Sequence, residues 1–179
     1  MDVIQKDLQR YAERHTSEES PLLKRINRET YAQIMHPRML SGQLQGRILS
    51  MISCMIRPRV ILEIGTFTGY SAICMAAGLQ EEGKLITIDI NEELHERVSG
   101  YFREANLNDR IDYHIGDAVD IRPASLKEVE VVVGATSVGA AFSLMIEHAG
   151  DDGVFAAVPA AEIGGTNPVS ISTASAMLR

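Results

Sequence analysis

The chain has 179 residues, 45% of them hydrophobic and 23% charged, with a formal net charge of -7. That length suits one domain with a sizeable core, and the negative balance excludes a nucleic-acid binder that works by neutralising phosphates. No apolar run approaches the ~18 residues of a membrane span, and the opening "MDVIQKDLQR" has no apolar targeting core. A soluble cytoplasmic protein is expected, with Cys54 and Cys74 as reduced core thiols.

The first sixty residues read as helices. "DVIQKDLQRYAERHT" places Val3, Ile4, Leu8, Tyr11 and Ala12 at helical spacing. "SPLLKRINRETYAQIM" opens on Ser20 as an N-cap, with Pro21 where its missing N–H costs nothing, and His36-Pro37 ends it. "SGQLQGRILSMISCMI" sets Leu44, Ile48, Met51, Ile52 and Met55 on one stripe behind Ser41, the expected cap. Such a stripe reads as a core face.

From Val60 short apolar runs alternate with helical patterns. "VILEI" (60–64), "KLITIDI" (84–90), "RIDYHI" (110–115), "VEVVV" (129–133) and "GVFAAV" (153–158) read as strands. "SAICMAAGL", "EELHERVSGYFREA" and "GAAFSLMIEHA" read as the helices between them. This alternation predicts an α/β fold: a doubly wound, Rossmann-like, mostly parallel sheet with helices on both faces and an N-terminal helical extension. One domain is expected, with the extension over 1–57, the core over 58–159 and a tail over 160–179. The tail, rich in Gly, Ser, Thr and Ala, reads either as one weak strand near "VSIS" or as poorly ordered.

Ligands of open parallel sheets bind outside the carboxyl ends of the strands. The first such end reads Glu63-Ile64-Gly65-Thr66-Phe67-Thr68-Gly69. Its two glycines admit turn dihedrals and close ligand approach, and a helix begins near Tyr70 and Ser71. The spacing G-x-x-x-G is not the dinucleotide pattern G-x-G-x-x-G, and no Gly-Lys-Ser/Thr follows to make a P-loop. An acid before the glycines repels phosphate and suits an ammonium group, or accepts hydrogen bonds from the loop. Asp89 ends the second strand, where an acid accepts from ribose hydroxyls; as an alternative it caps the next helix, a role Asn91 also suits. Gly116-Asp117-Ala118 ends the third strand within reach of an adenine. Together these features describe a nucleoside with a charged amino-acid tail, which S-adenosylmethionine fits.

"MLSGQLQGRIL", "ILEIGTFTGYSA", "GKLITIDINEEL" and "IGDA" strongly resemble the caffeoyl-CoA/catechol O-methyltransferase family of class I S-adenosylmethionine-dependent enzymes, over residues 28 to about 121. The resemblance implies that Met39 and Ser41 line the cofactor's methionine end and that Glu63, Gly65, Thr66 and Ser71 form the loop around it. It places Phe67 beside the cofactor, Asp89 at the ribose, and Asp117 with Ala118 at the adenine.

The same resemblance implies a divalent cation held by an Asp after the fourth strand and an Asp-Asn pair after the fifth, as a hard cation wants. Here those positions fall at about Gly134 or Ala135 and at Val158-Pro159. No metal ligand is assigned, and Glu130 and Glu162 do not replace the set. The lysine that commonly follows the first Asp is missing from "ATSVGAA". His36, His114 and His148 are the histidines nearest plausible loops, and no catalytic residue is assigned. By the resemblance the chain also stops short of its relatives, which leaves the last antiparallel strands in doubt.

The expected function is methyl transfer to a small-molecule hydroxyl, by an active or residually active enzyme. A cofactor-binding relative without turnover, whether degenerate or engineered, and a dimerising scaffold are the alternatives. The expected partner is a small-molecule acceptor, with no nucleic acid, no membrane and a homodimer as the candidate assembly.

Overall fold

The computed structural model describes residues 5–118, 120–121, 129–134, 154–157 and 170–173. Three helices come first: α1 (Lys6–Arg14), α2 (Pro21–Gln33) and, after a short 3-10 turn at Pro37–Met39, α3 (Gly42–Ile56). The alternating part follows as β1 (Val60–Ile64), α4 (Tyr70–Ala76), β2 (Lys84–Asp89), a 3-10 turn at Glu92–Leu94, α5 (His95–Glu104) and β3 (Ile111–Ile115). Then come β4 (Val131–Gly134), β5 (Val154–Ala157) and β6 (Ser170–Thr173).

The six strands form one sheet in the order β3-β2-β1-β4-β5-β6. The first five run parallel and β6 runs antiparallel to β5. The order reverses beside β1, so the crevice of this doubly wound, Rossmann-like sheet opens where β1 ends. All five expected strands are present, each trimmed or shifted by two residues at most at either end. Near "VSIS" the tail forms β6, the first of its two expected readings.

Central strands of a parallel sheet are buried on both faces, and β1 is buried at every residue. Ile61, Leu85, Ile111, Val131 and Val133 face α3, α4 and α5 through Leu49, Ala72, Met75, Val98 and Phe102. Leu62, Ile64, Ile86, Ile88 and Val132 form the opposite face, with Ala118 and Ile121 against them. The helix expected over 139–149 lies outside the described residues.

At the N-terminus several expectations change. Ser20 caps α2 as foreseen, its hydroxyl accepting the Leu23 N–H at 3.3 Å. Ser41 does not cap α3: its backbone is already helical and its side chain makes no capping bond. The expected core stripe on α3 is also the wrong face. Ile48, Met51 and Met55 are exposed, and the buried positions are Gly46, Leu49 and Ser53. Small residues win that face because α4 lies close: a Cβ on Gly46 would stand 2.6 Å from the Tyr70 ring. α2 stops at Gln33, three residues before His36-Pro37, and His36 takes the left-handed conformation (φ 56°). Of the two thiols, Cys74 is buried and Cys54 is exposed.

Candidate functional site

The carboxyl ends of β1, β2 and β3 are knitted together by backbone. Gly65 N–H donates to the Ile88 carbonyl and Gly116 N–H to the Asp89 carbonyl, both at 2.8 Å. Between β1 and α4 the chain turns sharply, with Gly65 at φ 98°, Phe67 at 48° and Gly69 at 75°. Gly69 is needed twice over. Its backbone is left-handed, and a Cβ there would meet the Phe102 ring at 2.8 Å. Phe67 carries a conformation disfavoured for a bulky side chain, and its N–H is fixed by the Asp89 carboxylate at 2.7 Å.

Asp89 holds both neighbours. Its second oxygen accepts the Asn91 N–H at 2.9 Å. Asn91 in turn accepts the Glu93 N–H at 3.0 Å and is the N-cap of the following turn. The capping role left open between these two residues therefore falls to Asn91.

Beneath the loop lies a buried polar chain. Glu63 is only 1% exposed, and its two carboxylate oxygens accept the Ser71 hydroxyl at 2.5 Å and the Thr87 hydroxyl at 2.6 Å. Thr87 also pairs with the Thr66 hydroxyl at 2.6 Å. Burial pushes the Glu63 carboxyl up to about 7; the Ser71 and Thr87 hydrogen bonds pull down against it, and the Asp89 charge pushes further up. Glu63 thus ties β1, β2 and the start of α4 together under the loop.

The structure brings Glu63, Gly65, Thr66, Phe67, Ser71 and Asp89 together at the turn after β1, with Glu63, Ser71 and Thr66 in one hydrogen-bonded chain through Thr87 and Phe67 bonded to Asp89. Asp117 and Ala118 stand next to it, at the end of β3. Asp117 is exposed and its carbonyl closes a turn with Asp120 and Ile121, whereas Ala118 packs toward the sheet. Met39 is 47% exposed, and Met39 and Ser41 lie in the turn between α2 and α3. Among the described residues neither side chain hydrogen-bonds to the loop.

Several participants were not singled out from sequence. Thr87 sits two residues before Asp89 and so shares its face of β2, a period-2 signal that the acid alone obscured. Thr30 of α2 meets Thr68 of the loop, hydroxyl to hydroxyl, at 3.2 Å. The Tyr70 hydroxyl donates to Glu19. The Tyr113 hydroxyl is buried with no hydrogen-bond partner among the described residues, and its ring lies 5.3 Å from that of His95. No sequence spacing connects these pairs.

Of the two positions expected for the first metal ligand, Gly134 or Ala135, the described one is Gly134, which ends β4 paired with Ile64 of β1. It has no side chain to donate, so the family's cation does not fit this position. Ala135, Val158 and Pro159 lie outside the described residues. Among the described residues no group of three or more His, Cys, Asp or Glu side chains is placed to hold a metal, and no helix is long and apolar enough to cross a membrane.

Two curated relatives are caffeoyl-CoA O-methyltransferases. The one from Medicago sativa is 31% identical over 90 residues, half of this chain and 36% of that protein. Caffeoyl-CoA O-methyltransferase 1 from Eucalyptus globulus is 36% identical over 83 residues, 46% of this chain and 34% of that protein. The chain therefore spans about a third of the length of these relatives. Solved structures share the fold. The O-methyltransferase TomG from Streptomyces achromogenes, in complex with SAM, superimposes with a TM-score of 0.76 at 24% identity, over 84% of this chain and 70% of TomG. The O-methyltransferase from Bacillus cereus, in complex with SAH, gives 0.73 at 23%, over 84% and 71%. Residues 13–130 match the O-methyltransferase family model, a span that includes the loop, Glu63, Asp89 and Gly116-Asp117-Ala118, and the chain belongs to the O-methyltransferase family.

Proposed function

We propose that this chain binds S-adenosylmethionine across the carboxyl ends of β1, β2 and β3 and serves methyl transfer to the hydroxyl of a small molecule. The observation that carries the reading is the Asp89 carboxylate beside the Gly65–Gly69 loop. Each of its oxygens accepts one backbone N–H and retains room for a second donor, which suits the paired hydroxyls of a ribose. In this reading Gly65, Thr66, Phe67 and Ser71 enclose the methionine end with Met39 and Ser41, and Asp117 with Ala118 borders the adenine. Glu63 acts from beneath, holding Ser71 in place.

When bound, the cofactor supplies a methyl group already activated on a sulfonium. The chain's share of the work is to hold an acceptor oxygen in line with it, which accounts for much of the acceleration in such reactions. A hydroxyl acceptor also has to lose its proton, and a divalent cation would ease that. Gly134, one of the two positions expected for the first metal ligand, has no donor side chain, which favours a second reading: a cofactor-binding relative whose turnover is weak or lost.

The same proposal covers a single domain over residues 1–179, a small-molecule partner rather than nucleic acid or membrane, a cytoplasmic location and a homodimer. Support for the dimer comes from the apolar side chains that α3 leaves exposed, Ile48, Met51 and Met55.

Calorimetric titration with S-adenosylhomocysteine tests the cofactor. Saturable heat is expected, and neither heat nor a thermal shift overturns the reading. Assay of a catechol panel with Mg2+ or with chelator then separates the two readings. Equal, slow rates are expected, whereas metal-stimulated turnover overturns the loss of the metal site.

A further inference from the structure

We propose that Thr30, near the carboxyl-terminal end of α2, is a positioning residue of the glycine loop: it holds Thr68 so that the loop is shaped for its ligand before the ligand arrives. The inference rests on the reading that this loop binds S-adenosylmethionine.

Thr30 and Thr68 are 2% and 1% exposed, and their hydroxyls meet at 3.2 Å across 38 residues of chain. A buried hydroxyl needs a partner, and these two side chains are almost wholly covered. Thr30 Oγ1 also lies 2.7 Å from the Ile26 carbonyl of its own helix, so its side-chain direction is set from within α2. Thr68 stands between the two left-handed residues Phe67 and Gly69. From the sheet side, the loop is held by Asp89 on the Phe67 N–H and by Thr87 on the Thr66 hydroxyl. Thr30 supplies the hold from the helical side.

α2 is a firm support for that hold. Leu23 and Ile26 are buried against Tyr70, Cys74 and Tyr101. The Tyr101 hydroxyl donates to Glu29 at 2.6 Å, and Arg25 pairs with Glu104 of α5. The Tyr70 hydroxyl, one residue past the loop, donates to Glu19 just before α2. Strained backbone persists only where its surroundings over-determine it. Releasing Thr68 frees Phe67 to leave its left-handed conformation, and a ligand then has to restore it on binding.

The test compares the full-length wild type with Thr30→Val, Thr30→Ser and Thr68→Val. S-adenosylhomocysteine affinity is read by calorimetry and loop order by amide hydrogen exchange without ligand. Thr30→Val is expected to weaken binding on the order of 10-fold, equivalent to about 1.4 kcal/mol. It should speed exchange at the Phe67 and Gly69 amides and leave Gly65, whose N–H is anchored on β2, unchanged. Thr30→Ser should restore both readouts, and Thr68→Val should reproduce Thr30→Val from the loop side, standing in for it if that variant does not fold. Wild-type affinity and wild-type loop exchange in the folded Val variant overturn the inference, and so does acceleration spread evenly over the sheet. Absence of binding by the wild type overturns the cofactor reading instead, and the exchange data still decide whether Thr30 orders the loop.

Discussion

Glu63 and Asp89 both stand out in the sequence as acids beside the glycine loop, yet they do different things. Asp89 ends β2 and organises the backbone on either side of it through the Phe67 and Asn91 N–H groups. Replacing it with Ala removes the acceptor for Phe67 and Asn91, and S-adenosylhomocysteine binding should weaken by about 1–3 kcal/mol. Unchanged affinity in a titration would show that Asp89 only shapes the chain. Glu63 lies under the loop, and its carboxyl is raised from 4.5 to about 7. The folded state therefore holds this proton more tightly than the unfolded chain does. The associated stability is fully present below about pH 4.5 and is lost as pH rises through about 7. Glu63→Gln should flatten that part of the stability–pH curve, an effect on the order of 3 kcal/mol at most. Urea melts between pH 5 and pH 8 check it, and identical slopes for variant and wild type would count against the buried carboxyl. The sequence marked Glu63 as an acid before two glycines, but not that two hydroxyls, Ser71 and Thr87, would satisfy it in the dark of the core.

Among the elements, α3 shows where periodicity misleads. Two stripes at helical spacing run along it, and the larger side chains drew attention to Leu44, Ile48, Met51, Ile52 and Met55. The buried stripe is instead Gly46, Leu49 and Ser53. Close approach to α4 decides this, since the Ser53 hydroxyl donates to the Met75 carbonyl at 2.7 Å. Just past α4, a Cβ on Gly78 would fall 2.1 Å from the Ser53 carbonyl carbon. Backbone cannot give way as a flexible side chain can, so Gly78→Ala should cost about 3 kcal/mol or more. Chemical denaturation measures it, and a loss under about 1 kcal/mol would mean that α3 and α4 can separate cheaply.

At the scale of the whole molecule, the proposed homodimer gives the exposed stripe a use. Met51→Lys with Met55→Lys places two charges on that surface while leaving the buried face of α3 intact. Light scattering should find a dimeric wild type and a monomeric double variant of unchanged melting temperature. A monomeric wild type would remove the homodimer from the proposal. The parallel direction of the strands followed from their alternation with helices, because parallel neighbours require crossovers, whereas their order in the sheet belongs to the tertiary structure. The five parallel strands were legible as short runs with β-branched residues between turn signals, and β6 was one of two readings of the tail.

By itself the sequence determined the α/β alternation, the glycine loop after β1, the acid ending β2 and the lack of a side chain at Gly134. These are local matters: period, backbone freedom and the chemistry of single positions. Only the tertiary structure decided that Asn91 rather than Asp89 caps the turn, that Glu63 is covered, which stripe of α3 is buried, and that α2 reaches the loop through Thr30. Each of those depends on which atoms meet after the chain has folded back across tens of residues, and a buried hydroxyl finds its partner by proximity in space rather than by spacing along the chain.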